Sequence, residues 1–73
     1  MNQSESNMRV TVNGRGMDVP KDLTIAQLLD RLEITHPAVA VELNFQIQPR
    51  AVFEEQVLCD KDCLEIVSLV GGG

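Results

Sequence analysis

The chain is poor in the residues that bind nucleic acid. It has no tryptophan, no tyrosine and two phenylalanines among 73 residues, and 6 lysines and arginines stand against 11 aspartates and glutamates. Neutralising phosphates requires clustered basic side chains, and stacking on bases requires aromatic ones. We therefore expect no nucleic-acid partner. The net charge of −5 instead favours attraction to a basic protein surface.

Long apolar runs and a targeting segment are also missing. The longest uninterrupted apolar stretches are a few residues, far below the roughly 20 that a membrane-spanning helix needs. Residues 1–7 are polar and have neither the basic nor the apolar part of a signal peptide. We expect a disordered leader over residues 1–7, no membrane association and a cytoplasmic location.

Cysteine and histidine are scarce as well. In the cytoplasm Cys59 and Cys63 are expected to stay reduced. A metal site would need further ligands, and the only histidine, His36, lies far away in sequence. We interpret the two cysteines as small hydrophobic residues near a turn, with a regulatory disulfide as the alternative, and His36 as a surface loop residue. No metal or bound cofactor is expected.

Strands are indicated near both ends of the chain. Residues 8–12 alternate apolar and polar, residues 13–16 supply a turn signal, and the alternation returns before Pro20, so a β-hairpin is predicted. Further strands are predicted over residues 38–43, over 46–48 up to Pro49, and over 63–70 after a polar turn at residues 60–62; these assignments rest on the same alternation and turn signals.

One helix is predicted between the strands. Thr24 and Gln27 have the spacing of a capping box. Behind it, apolar residues at i, i+3, i+4 and i+7 form one helical stripe, namely Ile25, Leu28, Leu29 and Leu32. Pro37 disfavours helical angles at His36, so the helix is expected to end over residues 34–37. A helix this short needs burial against a sheet.

The order strand, strand, helix, strand, strand, strand indicates an α+β fold of the β-grasp, or ubiquitin-like, type. We expect a mixed sheet of four to five strands with the helix on one face, and the first and last strands as parallel neighbours at its centre. The domain is assigned to residues 8–70. Its predicted core consists of Val10, Val12, Ile25, Leu28, Leu32, Val41, Leu64 and Ile66.

The chain ends in Gly71-Gly72-Gly73, directly after the last predicted strand. Glycine has no Cβ, so such an end can enter a slot that any larger residue would block. A frayed end is the alternative. We interpret residues 71–73 as a flexible functional tail, and the carboxylate of Gly73 as its reactive group.

Apolar residues are also predicted beside the tail. Strict alternation that turns Leu64 and Ile66 toward the core places Val67 and Leu69 on the opposite face. Exposed apolar surface commonly marks an interface, so both are candidate partner-binding residues. The alternatives are a strand covered on both faces and a bulge that shifts the register.

From Met8 to Gly73 the sequence resembles the ThiS family, the sulfur carrier proteins of thiamine biosynthesis. The resemblance rests on segments in the family's order: Val10-Thr11-Val12-Asn13-Gly14, Leu23-Thr24-Ile25-Ala26-Gln27-Leu28-Leu29, Val39-Ala40-Val41 followed by Asn44, Pro49-Arg50, and Val70-Gly71-Gly72-Gly73. It departs from the family at Phe45 and Lys61, where the family usually has glycine, and at Cys59 and Cys63.

The resemblance implies a protein substrate rather than an enzyme, in keeping with a chain that has no nucleophile, base and orienting group at recognisable spacing. An ATP-dependent adenylating enzyme would activate Gly73, a sulfur donor relay would convert it to a thiocarboxylate, and thiazole synthase would consume the sulfur. Arg50 matches the family's Pro-Arg and is a candidate partner contact, or else a plain surface charge.

Two other functions remain open. The small subunit of molybdopterin synthase shares the fold and the tail chemistry, although it is usually longer and tends to end in Ser-Gly-Gly. A ubiquitin-like binding module with an inert tail is the second.

Overall fold

The computed structural model describes residues 7–68. The predictions for residues 1–6 of the leader and for the glycine tail lie outside them, whereas Asn7, assigned to the leader, belongs to the first strand. The elements are β1 (Asn7–Val12), β2 (Arg15–Pro20), α1 (Ile25–Arg31), β3 (Val39–Leu43), β4 (Gln46–Gln48), a 3-10 turn (Arg50–Val52) and β5 (Cys63–Ser68). β1 starts one residue before the predicted domain boundary. Within residues 7–68 no helix is long and apolar enough to span a membrane.

The five strands form one mixed sheet in the order β2-β1-β5-β3-β4. β1 runs parallel to β5, and the other neighbouring pairs are antiparallel. The prediction that the first and last strands meet as parallel neighbours in the middle of the sheet is confirmed. The edges belong to β2, which ends at Pro20, and to the three-residue β4.

Alternation along the strands fixes which face packs on α1. Leu64 and Ile66 of β5 are buried, whereas Cys63 and Glu65 between them are exposed. The buried residues form a single core between sheet and helix: Met8, Val10, Val12, Val19, Leu23, Ile25, Leu28, Leu29, Val41, Phe53, Leu58, Leu64 and Ile66. All but one of the predicted core residues are among them; Leu32 is partly buried and packs against the cluster.

The helix starts as predicted and ends earlier. The Thr24 hydroxyl accepts from the Gln27 amide, and the Gln27 side chain accepts from the Thr24 amide, so the capping box is confirmed. The last turn ends at Arg31, because Glu33 adopts a left-handed conformation with φ 60°. Its amide donates to Asp30 and that of Ile34 donates to Leu29, the pairing that closes a helix before a left-handed residue. Pro37 is therefore not what ends α1.

An irregular segment from Pro49 to Asp62 supplies core residues that the pattern did not predict. Phe53 and Leu58 are 6% and 2% exposed. Backbone hydrogen bonds tie the segment to α1, since Ala26 N donates to the Phe53 carbonyl and Leu58 N to the Leu23 carbonyl. The segment therefore covers the helix start.

Two turns hold bulky residues at positive φ. Phe45 (φ 72°) and Lys61 (φ 73°) occupy the positions where the resemblance expects glycine. With Asn44 at φ 51°, both central residues of the β3–β4 turn are left-handed, as in a type I′ hairpin. The turn geometry is kept although the glycine is absent.

Candidate functional site: the root of the C-terminal tail

The strand that leads to the tail is the middle strand of the sheet. At its last residue, Ser68 of β5 pairs with Val39 of β3. β1 has ended by then, since its last residue, Val12, pairs with Leu64. Leu69, Val70 and the glycines follow beyond the described residues. The described part of β5 therefore ends where the strand has outrun one of its two neighbours, and we call this end, at Ser68, the tail root.

Two asparagine side chains fasten β5 to its neighbours. Asn13, in the β1–β2 turn with φ 51°, accepts from the Ile66 amide at 2.7 Å and donates to the Ile66 carbonyl at 3.1 Å. Asn44 accepts from the Cys63 amide at 2.9 Å through its side chain, and its backbone amide donates to the Cys63 carbonyl at 2.7 Å. We call Asn13 and Asn44 the asparagine clamps. They extend the pairing of β5 past the ends of both partner strands.

The sheet face that is not covered by α1 carries exposed apolar surface next to the tail root. Val67 is 54% exposed and stands opposite Ala40 of β3. The exposure predicted for Val67 is confirmed, and within residues 7–68 no element covers it and no bulge interrupts the β3–β5 register. Leu69 lies outside the described residues. Partner binding by Val67 and Leu69 stays a prediction.

Arg50 lies on the other side of the tail root. Its guanidinium donates to the carbonyl of Pro37, two residues before the Val39 that pairs with Ser68. Arg50, His36 and Val39 contribute to the wall of an open groove of 740 Å³ between the end of α1 and the 3-10 turn. Arg50 and Val67 thus flank the root from the helix side and the open side of the sheet. The role of Arg50 in partner contact also stays a prediction.

The remaining candidates form no reactive site in the described part of the chain. Cys59 and Cys63 are free and exposed. His36 is an exposed loop residue whose Nδ1 accepts from the Ala38 amide at 3.0 Å. Among residues 7–68 no three metal-ligating side chains come together.

Comparison with known proteins extends this picture over the tail. The family model described as ThiS matches residues 5–73, which include all three terminal glycines. The sulfur carrier protein ThiS of Bacillus subtilis is 40% identical over 63 residues, covering 85% of this chain and 96% of the relative. A thiazole synthase of Paramagnetospirillum magneticum is 35% identical over 66 residues, which are 90% of this chain and 20% of that protein.

Solved structures agree with the sequence relatives. A crystal structure of the thiamine biosynthesis protein ThiS from Geobacter metallireducens superposes with a TM-score of 0.79 at 33% identity, covering 90% of this chain and 100% of the other. The mixed five-stranded sheet with one helix is the β-grasp architecture. On these matches and this fold, the chain belongs to the ThiS family.

Proposed function

We propose that this protein carries sulfur for thiazole formation in thiamine biosynthesis, as a thiocarboxylate on Gly73. The observation that supports this function best is the family match, because it runs to residue 73 and so includes the tail on which the chemistry depends. The fold is compatible with it, since the strand that leads to the tail is held on both sides.

The proposed chemistry starts from a carboxylate. An α-carboxyl group has an unperturbed pKa of roughly 3.3 to 3.7 and is ionised at neutral pH, so one of its oxygens can attack the α-phosphorus of ATP while pyrophosphate leaves. The acyl adenylate then reacts with a sulfur nucleophile at the oxidation level of sulfide. Sulfur bonds to the Gly73 carbonyl carbon, AMP leaves, and a thiocarboxylate remains.

Partner enzymes supply every catalytic group in this scheme. An adenylating enzyme binds ATP, a sulfur donor relay delivers the sulfide equivalent, and thiazole synthase accepts the sulfur. The chain itself acts as a co-substrate and holds no cofactor. A thiazole synthase partner is supported by the Paramagnetospirillum relative, in which a domain similar to this chain makes up about a fifth of a protein with that name.

Mass spectrometry of the intact protein tests the proposal. After incubation with ATP, the cognate adenylating enzyme and a sulfide source, we expect the mass increase that corresponds to exchange of one oxygen for sulfur. A protein that lacks Gly72 and Gly73 is the matched control and should keep its mass. An unchanged parent under conditions that modify another ThiS protein would contradict the carrier function and favour an inert binding module.

Genetic complementation separates the two sulfur-transfer pathways. The gene should restore growth of a strain that lacks its thiamine sulfur carrier and should fail in a strain that lacks the small subunit of molybdopterin synthase. Rescue of only the molybdopterin strain would assign the tail to the other pathway.

A further inference from the structure

The most exposed large apolar side chain among residues 7–68 sits in an unfavourable backbone conformation. Phe45 is 88% exposed and has φ 72°. Left-handed angles are rare for bulky residues, and the second central position of a type I′ turn favours glycine. Exposure means that packing within the domain does not compensate for the strain. Packing within residues 7–68 therefore does not explain why a phenylalanine occupies this position.

A second unfavourable feature begins three residues before Phe45, on the sheet face that α1 does not cover, which we call the open face. Glu42 of β3 and Glu65 of β5 stand directly opposite each other. Like charges in such a cross-strand pair repel, which destabilises the sheet. No described lysine or arginine forms an ion pair with either of them, since the one described salt bridge joins Arg9 and Asp18.

Exposed apolar residues surround the two glutamates. Ile47 of β4 stands opposite Glu42 on its other side and is 69% exposed. Val67 lies two residues beyond Glu65 on the same face of β5. We call Phe45, Ile47 and Val67, with Glu42 and Glu65 between them, the open-face patch. It runs from the β3–β4 turn to the root of the tail.

We propose that the open-face patch is the docking surface for thiazole synthase, with Phe45 as its anchor. The fitting surface on the synthase has an apolar pocket for the phenyl ring and a lysine or arginine facing the two glutamates. Such a surface would bury the exposed ring, which would offset the backbone strain at Phe45, and would relieve the repulsion between the two carboxylates. The inference rests on the proposed function for the identity of the partner.

An apolar anchor outside the glycine tail would supply binding energy that the tail cannot. Glycines offer no side chain to bury, so a complex held by the tail alone would have little apolar area with which to offset the entropy lost on association. A phenylalanine buries about 150 to 250 Å² and is the kind of residue that concentrates binding energy at an interface. The patch continues into the tail root at Val67, so one partner can hold both.

Binding of purified protein to the cognate thiazole synthase, measured by calorimetry, tests the proposal. Phe45→Gly should weaken binding at least tenfold and melt at or above the temperature of the parent, because glycine suits the turn. Ile47→Thr tests the same patch without touching the turn and should also weaken binding. Val57→Ala is the matched control: Val57 is exposed too, but it pairs with Thr24 away from the open face, and its loss should leave the affinity unchanged.

Charge is tested separately. Parent binding should weaken as salt is raised, and Glu42→Gln should both lower the affinity and flatten this salt dependence. Glu55→Gln, at an exposed position of the irregular segment, is the control and should keep the parental slope.

Several results would overturn the proposal. Parental affinity of both Phe45→Gly and Ile47→Thr would remove the anchor, and loss of binding only to the adenylating enzyme would show that the partner is wrong. A parent that dimerises in solution through Phe45 would assign the patch to a second copy of the chain. Failure of the parent to accept sulfur would instead count against the proposed function alone, since binding to the synthase is measured on the unmodified carboxylate.

Discussion

Replacing Asn13 tests whether a side chain, rather than strand pairing, holds the last part of β5 to β1. Asn13→Gly keeps a residue that adopts the left-handed turn at φ 51° but removes both hydrogen bonds to Ile66. Asn13→Ala removes the same bonds and adds the cost of a left-handed alanine. Comparison of the two variants therefore separates the clamp from the turn.

The expected loss follows from the two bonds. A hydrogen bond contributes on the order of 0.5–1.5 kcal/mol net, so losing both lowers the free energy of unfolding by about 1–3 kcal/mol in Asn13→Gly. The left-handed conformation costs Asn13→Ala roughly 1 kcal/mol more. A core in this size range rarely supplies more than about 3–5 kcal/mol, so Asn13→Ala is expected to be close to unfolding at ambient temperature.

Thermal and urea denaturation followed by circular dichroism measure these losses. For a domain of this size, about 1 kcal/mol corresponds to a shift of roughly 4–8 °C in the melting temperature, so Asn13→Gly should melt roughly 10 °C below the parent. Gly14→Ala, in the same turn at φ 85°, is a control that strains the backbone and leaves the clamp in place. An Asn13→Gly variant that melts with the parent would refute the clamp, because the turn alone would then account for the asparagine.

Three further predictions concern the core and the tail. Phe53→Ala should lower the free energy of unfolding by about 3–5 kcal/mol, measured by urea denaturation, because the ring is buried; a loss below about 1 kcal/mol would contradict its place in the core. Val67→Asp should weaken binding to the partner enzymes in calorimetry while the melting temperature stays near that of the parent, and a large drop in melting temperature would show a structural role instead. Gly73→Val should keep the melting temperature and prevent sulfur transfer in the mass-spectrometric assay, since a branched side chain blocks a slot shaped for glycine; transfer at the parental rate would refute the steric argument.

Regular elements of this fold could be predicted from the sequence because their signals are local. The capping box at Thr24 and Gln27 fixes the start of α1, and the alternation at Leu64 and Ile66 fixes which face of β5 is buried. The parallel pairing of β1 with β5 could be predicted from the order of the elements, because all strands must form one sheet against which the single helix packs.

Other features have no local signal. Phe53 and Leu58 belong to a segment without periodicity, so only tertiary contacts show that they are core residues. Glu33, Phe45 and Lys61 take left-handed angles that their residue types disfavour. The early helix end therefore could not be predicted from the sequence, and for the two turns the position could be predicted but the backbone geometry could not. For the tail itself, the sequence provided only its three glycines as evidence. Arg50 was proposed as a site residue from the family's pattern, and Val67 from strand alternation.

The way β5 is held also decides how the domain responds to a pull on its C-terminal end. Hydrogen bonds between strands lie across the strand direction, so tension applied at Ser68 along β5 loads the bonds to β1 and to β3 together rather than one at a time. The asparagine clamps add bonds at Cys63 and Ile66 that lie across the same direction. A partner enzyme that draws the tail into a deep slot would therefore load the sheet in shear, and the domain would follow as a rigid body instead of unzipping from its end.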